Sequence, residues 1–139
     1  MSYQWDSLLE TGNKQIDSQH KQLFVIFNDL VEACQAGTGK AELARTIKFL
    51  LAYTVKHFKD EEALQLQYGY EDYLRHRQIH KEFTSVAVDL ANRLQEEGPT
   101  ACLVAEVHSS MGDWLINHIK SDDFYLAAFI KSKGKRCSQ

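Results

Sequence analysis

Apolar residues return every three or four positions along most of the chain, the period of an amphipathic helix. The first stripe follows Ile16 and comprises Leu23, Phe24, Phe27, Leu30, Val31 and Cys34. Asp17 stands where an N-cap belongs, and Gly37-Thr38-Gly39 ends the segment. A second helix is predicted from about Lys40 to Tyr68, with Leu43, Ile47, Leu50, Leu51, Thr54, Phe58 and Leu64 on one side and Gly69 as its stop. A third spans about Glu71 to Glu97 through Tyr73, Phe83, Ala87, Leu90 and Leu94, and Gly98-Pro99 closes it and opens the next. The fourth, about Thr100 to Lys120, turns Val104, Val107, Met111, Trp114, Leu115 and Ile119 inward. A short fifth piece, about Asp123 to Lys131, carries Leu126, Phe129 and Ile130. Long helices with short connections lie antiparallel to their neighbours, so the expected fold is all-α, an up-down-up-down antiparallel four-helix bundle. Residues 1–131 form that domain, with residues 1–16 a non-periodic arm pinned by Tyr3 and Trp5, and residues 132–139 a solvated basic tail.

Polar residues interrupt these stripes in a consistent way. His20 lies three before Leu23 on the first. His57 and Glu61 keep the spacing of Leu50, Thr54 and Leu64 on the second. His76 and His80 fall between Tyr73 and Phe83 on the third, and His118 follows Trp114 and Leu115 on the fourth. Each helix therefore spends a core position on an imidazole, and one also spends a carboxylate. Burying such groups unpaired is costly, and a shared metal is the economical partner. His57/Glu61 and His76/His80 are i,i+4 pairs, which place two ligating side chains one turn apart on one face. Asp123 lies five after His118, too far round an ideal helix to share its face, unless the chain bends back at the helix end. Five imidazoles and two carboxylates are too many for one tetrahedral zinc and suit a carboxylate-bridged pair of ions, iron or manganese before copper or zinc. Ferritin-like di-iron bundles use Glu-x-x-His pairs, and no histidine here has a glutamate three residues before it. The sixth histidine, His108, falls at the edge of its stripe and reads as structural.

Composition narrows the function classes. The 139 residues, 44% hydrophobic, fit one domain with a true core, and a net charge of −3 gives no basic field for nucleic acid. No apolar run approaches a membrane span, and Met1-Ser2-Tyr3-Gln4-Trp5-Asp6 lacks the layout of a signal peptide. Cys34, Cys102 and Cys137 are scattered, without a CxxC, which points to no disulfide framework and to a reducing cytoplasm.

The joint pattern is similar to that of the single-domain prokaryotic hemerythrins, the bacteriohemerythrins. The matching residues are Trp5, Gly12, Ile16-Asp17-Ser18-Gln19-His20, Leu23-Phe24, Asn28-Asp29-Leu30, His57-Phe58-Lys59-Asp60-Glu61-Glu62, His76-Arg77-Gln78-Ile79-His80-Lys81-Glu82-Phe83 and Trp114-Leu115-Ile116-Asn117-His118-Ile119 through Asp123. The resemblance implies reversible O₂ binding at a non-haem di-iron centre. By motif position, His76, His80 and His118 would saturate one iron, and His20 and His57 would hold the other and leave it open. Glu61 and Asp123 would bridge the two Fe ions together with an oxo or hydroxo ligand. Phe58, Trp114 and Leu115 would line the O₂ pocket. The chain departs from the family at Leu64-Gln65, where Leu-Met is usual, at Tyr70-Glu71 for Tyr-Pro, and at Leu126, where a tyrosine is common. Asp122 is a competing carboxylate, and the five-residue spacing alone favours Asp123. The implied role is an oxygen carrier, store or supplier to an O₂-consuming enzyme or with a reductase as partner, monomeric and not itself an enzyme. The competing readings are a di-iron redox enzyme or iron-handling protein, and a sensor acting through a separate partner.

Overall fold

A computed structural model of the chain describes residues 4–37, 40–98 and 100–137, with the side chains of 40–43 and 134–137 excepted. Tyr3, Thr38, Gly39 and Pro99, and the side chains of Leu43 and Cys137, lie outside the described residues. After a single 3₁₀ turn, Ser7–Leu9, the helices α1 (Lys14–Gln35), α2 (Lys40–Tyr68) and α3 (Tyr73–Glu97) follow in antiparallel succession. The fourth arm is one unbroken helical run made of α4 (Ala101–Val107), a π-helical stretch His108–Asp113, α5 (Trp114–His118), a second π-helical turn Ile119–Asp123 and α6 (Phe124–Cys137). The expected four-helix bundle is the fold observed.

Local chemistry explains most of the boundaries. Asn13, not Asp17, caps α1: its side chain accepts from the Ile16 N–H at 3.0 Å. Asp17 instead reaches back to the arm, accepting from the Thr11 N–H, the Thr11 hydroxyl and the Gly12 N–H at 2.9, 2.7 and 3.1 Å. Trp5 pins the arm edge-on against Phe24, with ring centroids 5.4 Å apart. Gly69 ends α2 at φ +66°, and the Tyr70 N–H closes back onto the Gln65 carbonyl at 2.9 Å, the double-bonded stop that a left-handed residue permits. Thr100 caps α4 through the Leu103 N–H.

Two departures from the expected helices concern the fourth arm. The break anticipated between Lys120 and Asp123 is a π-helical turn inside a continuous helix. The last helix also runs six residues past Lys131, to Cys137, although Ser132–Arg136 carries no apolar period. Elsewhere, Leu64 is only half-buried while Gln65 is wholly buried, and Leu103 joins the core ahead of Val104.

The core is divided. A large apolar cluster runs from Ile26, Phe27 and Leu30 through Leu50, Phe58, Phe83, Leu90 and Leu94 to Met111. A small one, Ile16, Leu126, Ala127 and Ile130, closes the other end. Leu9, Phe24 and Ile119 form a third beneath the arm. The buried histidines and carboxylates belong to none of the three.

Candidate metal centre

Every helix of the bundle delivers at least one buried polar side chain to one place. His20 comes from α1, His57 and Glu61 from α2, His76 and His80 from α3, His118 from α5 and Asp123 from the π-helical turn. None is more than 4% exposed. On α2 and α3 the i,i+4 spacing suffices. His118 and Asp123 meet for a different reason. Five residues of α-helix would turn Asp123 about 140° away from His118. The π-helical turn, closed by the Phe124 N–H on the Ile119 carbonyl, takes up an extra residue and returns the carboxylate to the imidazole's face. Asp123 Oδ1 then lies 3.3 Å from His118 Nε2.

The donor atoms form two overlapping groups. Glu61, His76, His80, His118 and Asp123 make one, and His20, His57, Glu61 and Asp123 the other, each with its atoms within 4.8 Å of one another. The two carboxylates are common to both and are oriented accordingly. Glu61 Oε1 lies 3.0 Å from His76 Nε2 and 3.3 Å from His80 Nε2, while its Oε2 lies 3.3 Å from His57 Nε2. Asp123 Oδ1 lies 3.1 Å from His76 Nε2, while its Oδ2 lies 2.9 Å from His20 Nε2. Each carboxylate thus offers one oxygen to the three-histidine side and the other to the two-histidine side.

The outward nitrogens of three imidazoles are held by polar side chains. His57 Nδ1 meets Gln19 Oε1 at 2.7 Å, and Gln19 in turn donates to Asp60. His80 Nδ1 meets Glu62 at 2.9 Å. His118 Nδ1 meets Asp122 at 2.9 Å, and Asp122 is paired with Arg75 at 3.2 Å. These partners fix each ring with Nε2 turned inward, the arrangement that orients metal-ligating histidines. Asp122 and Asp123 therefore divide the work at His118: one takes the outer nitrogen, the other faces the centre.

Electrostatics agree with a site built for cations. Burial resists the charge on His76 and His118, yet the closely approaching carboxylates of Asp123 and Glu61, joined at His118 by the hydrogen bond to Asp122, outweigh it and raise their pKa values to about 9 and about 10. Burial pushes both Glu61 and Asp123 upward, and the charge of Asp123 adds to it at Glu61, but the surrounding imidazoles win and leave both carboxyls lower than an ordinary carboxylate. In the absence of metal these shifts favour ionised carboxylates beside protonated His76 and His118. Even so, the two carboxylates and both nitrogens of His20 have no hydrogen-bond partner of good geometry among the described residues. Buried acceptors left in that condition, with imidazole nitrogens aimed at them, fit divalent or trivalent cations.

The aromatic residues expected at the pocket lie directly on the buried imidazoles. Phe58 stacks on His80 at 3.8 Å, and Trp114 stacks on His118 at 4.5 Å and on Phe83 at 4.1 Å. An apolar cavity of about 20 Å³ adjoins them, lined by Leu23, Phe27, Leu50, Thr54, Phe58, Phe83, Met111 and Leu115. Phe58 and Leu115 line it and Trp114 does not. His108 stays out of the cluster, edge-on to Phe27. The residue that the apolar pattern passes over is Gln65, which is wholly buried one turn beyond Glu61. Its i+4 spacing from Glu61 was the available signal.

A four-helix bundle whose core gathers five histidines around two shared carboxylates, in two overlapping groups that could each hold a metal ion, defines a class of metal-binding bundle. The description "Hemerythrin HHE cation binding domain" matches residues 11–130, and the chain belongs to the hemerythrin family. A bacteriohemerythrin of Pseudomonas aeruginosa is 34% identical over 119 residues, covering 86% of this chain and 75% of that protein. A myohemerythrin of Theromyzon tessulatum is 32% identical over 135 residues, covering 96% and 92%. A crystal structure of wild-type hemerythrin superposes with a TM-score of 0.80 at 27% identity, covering 92% of this chain and 97% of that one. Among the described residues no helix is long and apolar enough to cross a membrane.

Proposed function

We propose that this chain binds dioxygen reversibly at a pair of iron ions, with His76, His80 and His118 on one ion, His20 and His57 on the other, and Glu61 and Asp123 between them. The observation that carries the reading is the split of each carboxylate, one oxygen toward each histidine group. The two donor sets are unequal, five residues against four. The poorer set leaves room for an external ligand, as a binding site requires.

Held by these residues, a pair of ferrous ions would supply the electrons that oxygen binding draws on. The chain's own contribution is orientation and exclusion of water. Gln19, Glu62 and Asp122 hold the imidazoles, and Phe58 and Trp114 cover His80 and His118 with apolar surface. Thr54 is the one hydroxyl side chain lining the adjacent cavity, and that hydroxyl donates to the Leu50 carbonyl at 2.7 Å. A cavity without a free acid or base favours binding over turnover, and so a carrier, store or supplier over an enzyme. One chain carries every donor, so a monomer suffices. Free Cys34 and Cys102 suit a reducing compartment such as the cytoplasm.

The test is metal analysis followed by visible spectra of the reduced protein without oxygen, in air, and after oxygen is removed again. Two irons per chain with an absorption band that appears in air and reverses on deoxygenation is the expected result. Irreversible oxidation without an oxygen adduct would replace the carrier reading with redox chemistry or iron handling.

A further inference from the structure

Irons that turn ferric bind no oxygen until electrons return to them, and a buried centre takes those electrons through its own surface. His80 borders open space. A groove of about 240 Å³ between α2 and α3 has His80 and Phe58 in its lining, together with Lys59, Glu62 and Lys81. His80 reaches from this groove to the centre. Its Nδ1 meets Glu62, which is 20% exposed, at 2.9 Å. Its Nε2 lies 3.3 Å from Glu61 Oε1 and 3.2 Å from His118 Nε2. Phe58 stacks on the ring at 3.8 Å. An electron delivered into the groove therefore has a single imidazole between it and the three-histidine metal position.

The charge of this face runs against that of the chain. The net charge is −3, yet Lys59 and Lys81 are exposed and make no ion pair among the described residues. Arg77 lies one turn before Lys81 on the same face of α3. The nearby acids are engaged: Glu62 with His80, Asp60 with Lys56 and Gln19, and Glu82 with Gln78. The other ring with a route outward, His118, differs in charge, because its partner Asp122 is neutralised by Arg75. The His80 groove thus joins access to the centre with an unbalanced positive rim, which attracts an acidic surface and repels a basic one.

We propose that the groove between α2 and α3 is the docking surface for a one-electron donor protein with an acidic face, and that His80 is the entry point for its electrons. The inference rests on the two-ion reading above. Two reduced donors, each oxidised by one electron, return two ferric ions to the ferrous state. A bridging oxo ligand that becomes hydroxide takes its one proton from solvent. Lys59 and Lys81 hold the donor by charge and touch neither iron.

The probe is a plant-type [2Fe–2S] ferredoxin, acidic and a one-electron donor. Docking is read by calorimetric titration of the iron-loaded full chain with oxidised ferredoxin, which has no electron to give. Electron entry is read by anaerobic stopped-flow absorption with reduced ferredoxin at rising salt. In Lys59→Glu/Lys81→Glu, docking at low salt is expected to be lost and the bimolecular rate to fall about 10- to 100-fold. Lys59→Arg/Lys81→Arg is expected to keep both. Lys14→Glu/Lys131→Glu, an equal charge change at exposed positions on α1 and α6, is expected to change the rate by less than about twofold. Iron content and the oxygen spectrum are expected to match wild type throughout. Wild-type docking and rate in Lys59→Glu/Lys81→Glu would overturn the inference, as would an equal loss in Lys14→Glu/Lys131→Glu. Absence of docking by the wild type at low salt would also overturn it, and in each of these cases the two-ion reading stands. A wild type that takes up no iron would overturn the two-ion reading, and the electron route with it, whatever the docking result.

Discussion

Metal uptake by this centre should be steeply dependent on pH, in a way the geometry makes quantitative. Without metal, the ionised carboxylates Glu61 and Asp123 are balanced by protons on His76 and His118, whose pKa values are raised to about 9 and about 10. A metal ion needs the unprotonated imidazole, so at pH 7 loading must expel at least two protons, one from each of these rings. Apparent affinity then climbs by about two decades per pH unit, or about four decades between pH 6.5 and 8.5, and flattens as the pH passes the two values. Any hydroxide that joins the ions would add a further proton to the count. The assay is calorimetric titration with ferrous ion in anaerobic buffers of differing ionisation enthalpy, which reads proton release directly. Release of fewer than two protons at pH 7, or an affinity flat across this range, would refute the charge balance assigned to the cluster.

The metal-free protein should show the opposite trend. Because the folded pKa values of His76 and His118 lie above that of an unfolded histidine, their contribution is full below about pH 6.5 and is lost as pH rises through 9 and 10, so the melting temperature should fall over that interval. Asp122→Asn removes the carboxylate 2.9 Å from His118 Nδ1 and should weaken metal retention about 10- to 100-fold in chelator competition, with the fold intact by circular dichroism. Trp114→Ala strips the ring that stacks on His118 and Phe83, and should speed conversion of the aerated ferrous protein to its ferric form about tenfold, followed by visible absorption. Leu94→Ala, at a position 1% exposed within the large apolar cluster, should cost about 2–5 kcal/mol in urea unfolding and leave the spectrum of the loaded site unchanged.

Much of this arrangement is legible in the chain because helix periodicity and metal-ligand chemistry make the same demand. His57, Glu61, His76 and His80 fall on apolar stripes at i,i+4, and an imidazole at a leucine's place is visible without coordinates. What escaped has identifiable causes. Asn13 and Asp17 are both short acceptors near the start of α1, and only the Thr11 and Gly12 N–H groups decide which of them caps the helix. Gln65 escaped because an apolar neighbour, Leu64, stood beside it and a hydropathy pattern takes the apolar residue of such a pair. The continuation of α6 past Lys131 follows backbone hydrogen bonding in a segment with no apolar face, which no hydropathy pattern can register.

The π-helical turn at Ile119–Asp123 shows most directly why spacing alone falls short. On a regular α-helix, residues four and five beyond His118 would sit about 40° and about 140° round from it, so only the first of two consecutive aspartates could touch the ring. In the structure both do: Asp122 meets Nδ1 at 2.9 Å and Asp123 meets Nε2 at 3.3 Å. A wider turn carries the fourth and fifth residues to either side of the imidazole, so one carboxylate holds the outer nitrogen while the next reaches across to His20 and His76. The extra residue also lets Leu126, Ala127 and Ile130 return to the core, which a bend away from the bundle would not. Consecutive acids after a buried histidine, followed by apolar residues at helical spacing, are therefore satisfied together by a π turn and by neither a straight α-helix nor a helix end. A reading confined to a period of 3.6 finds the acid and misplaces the reason it arrives.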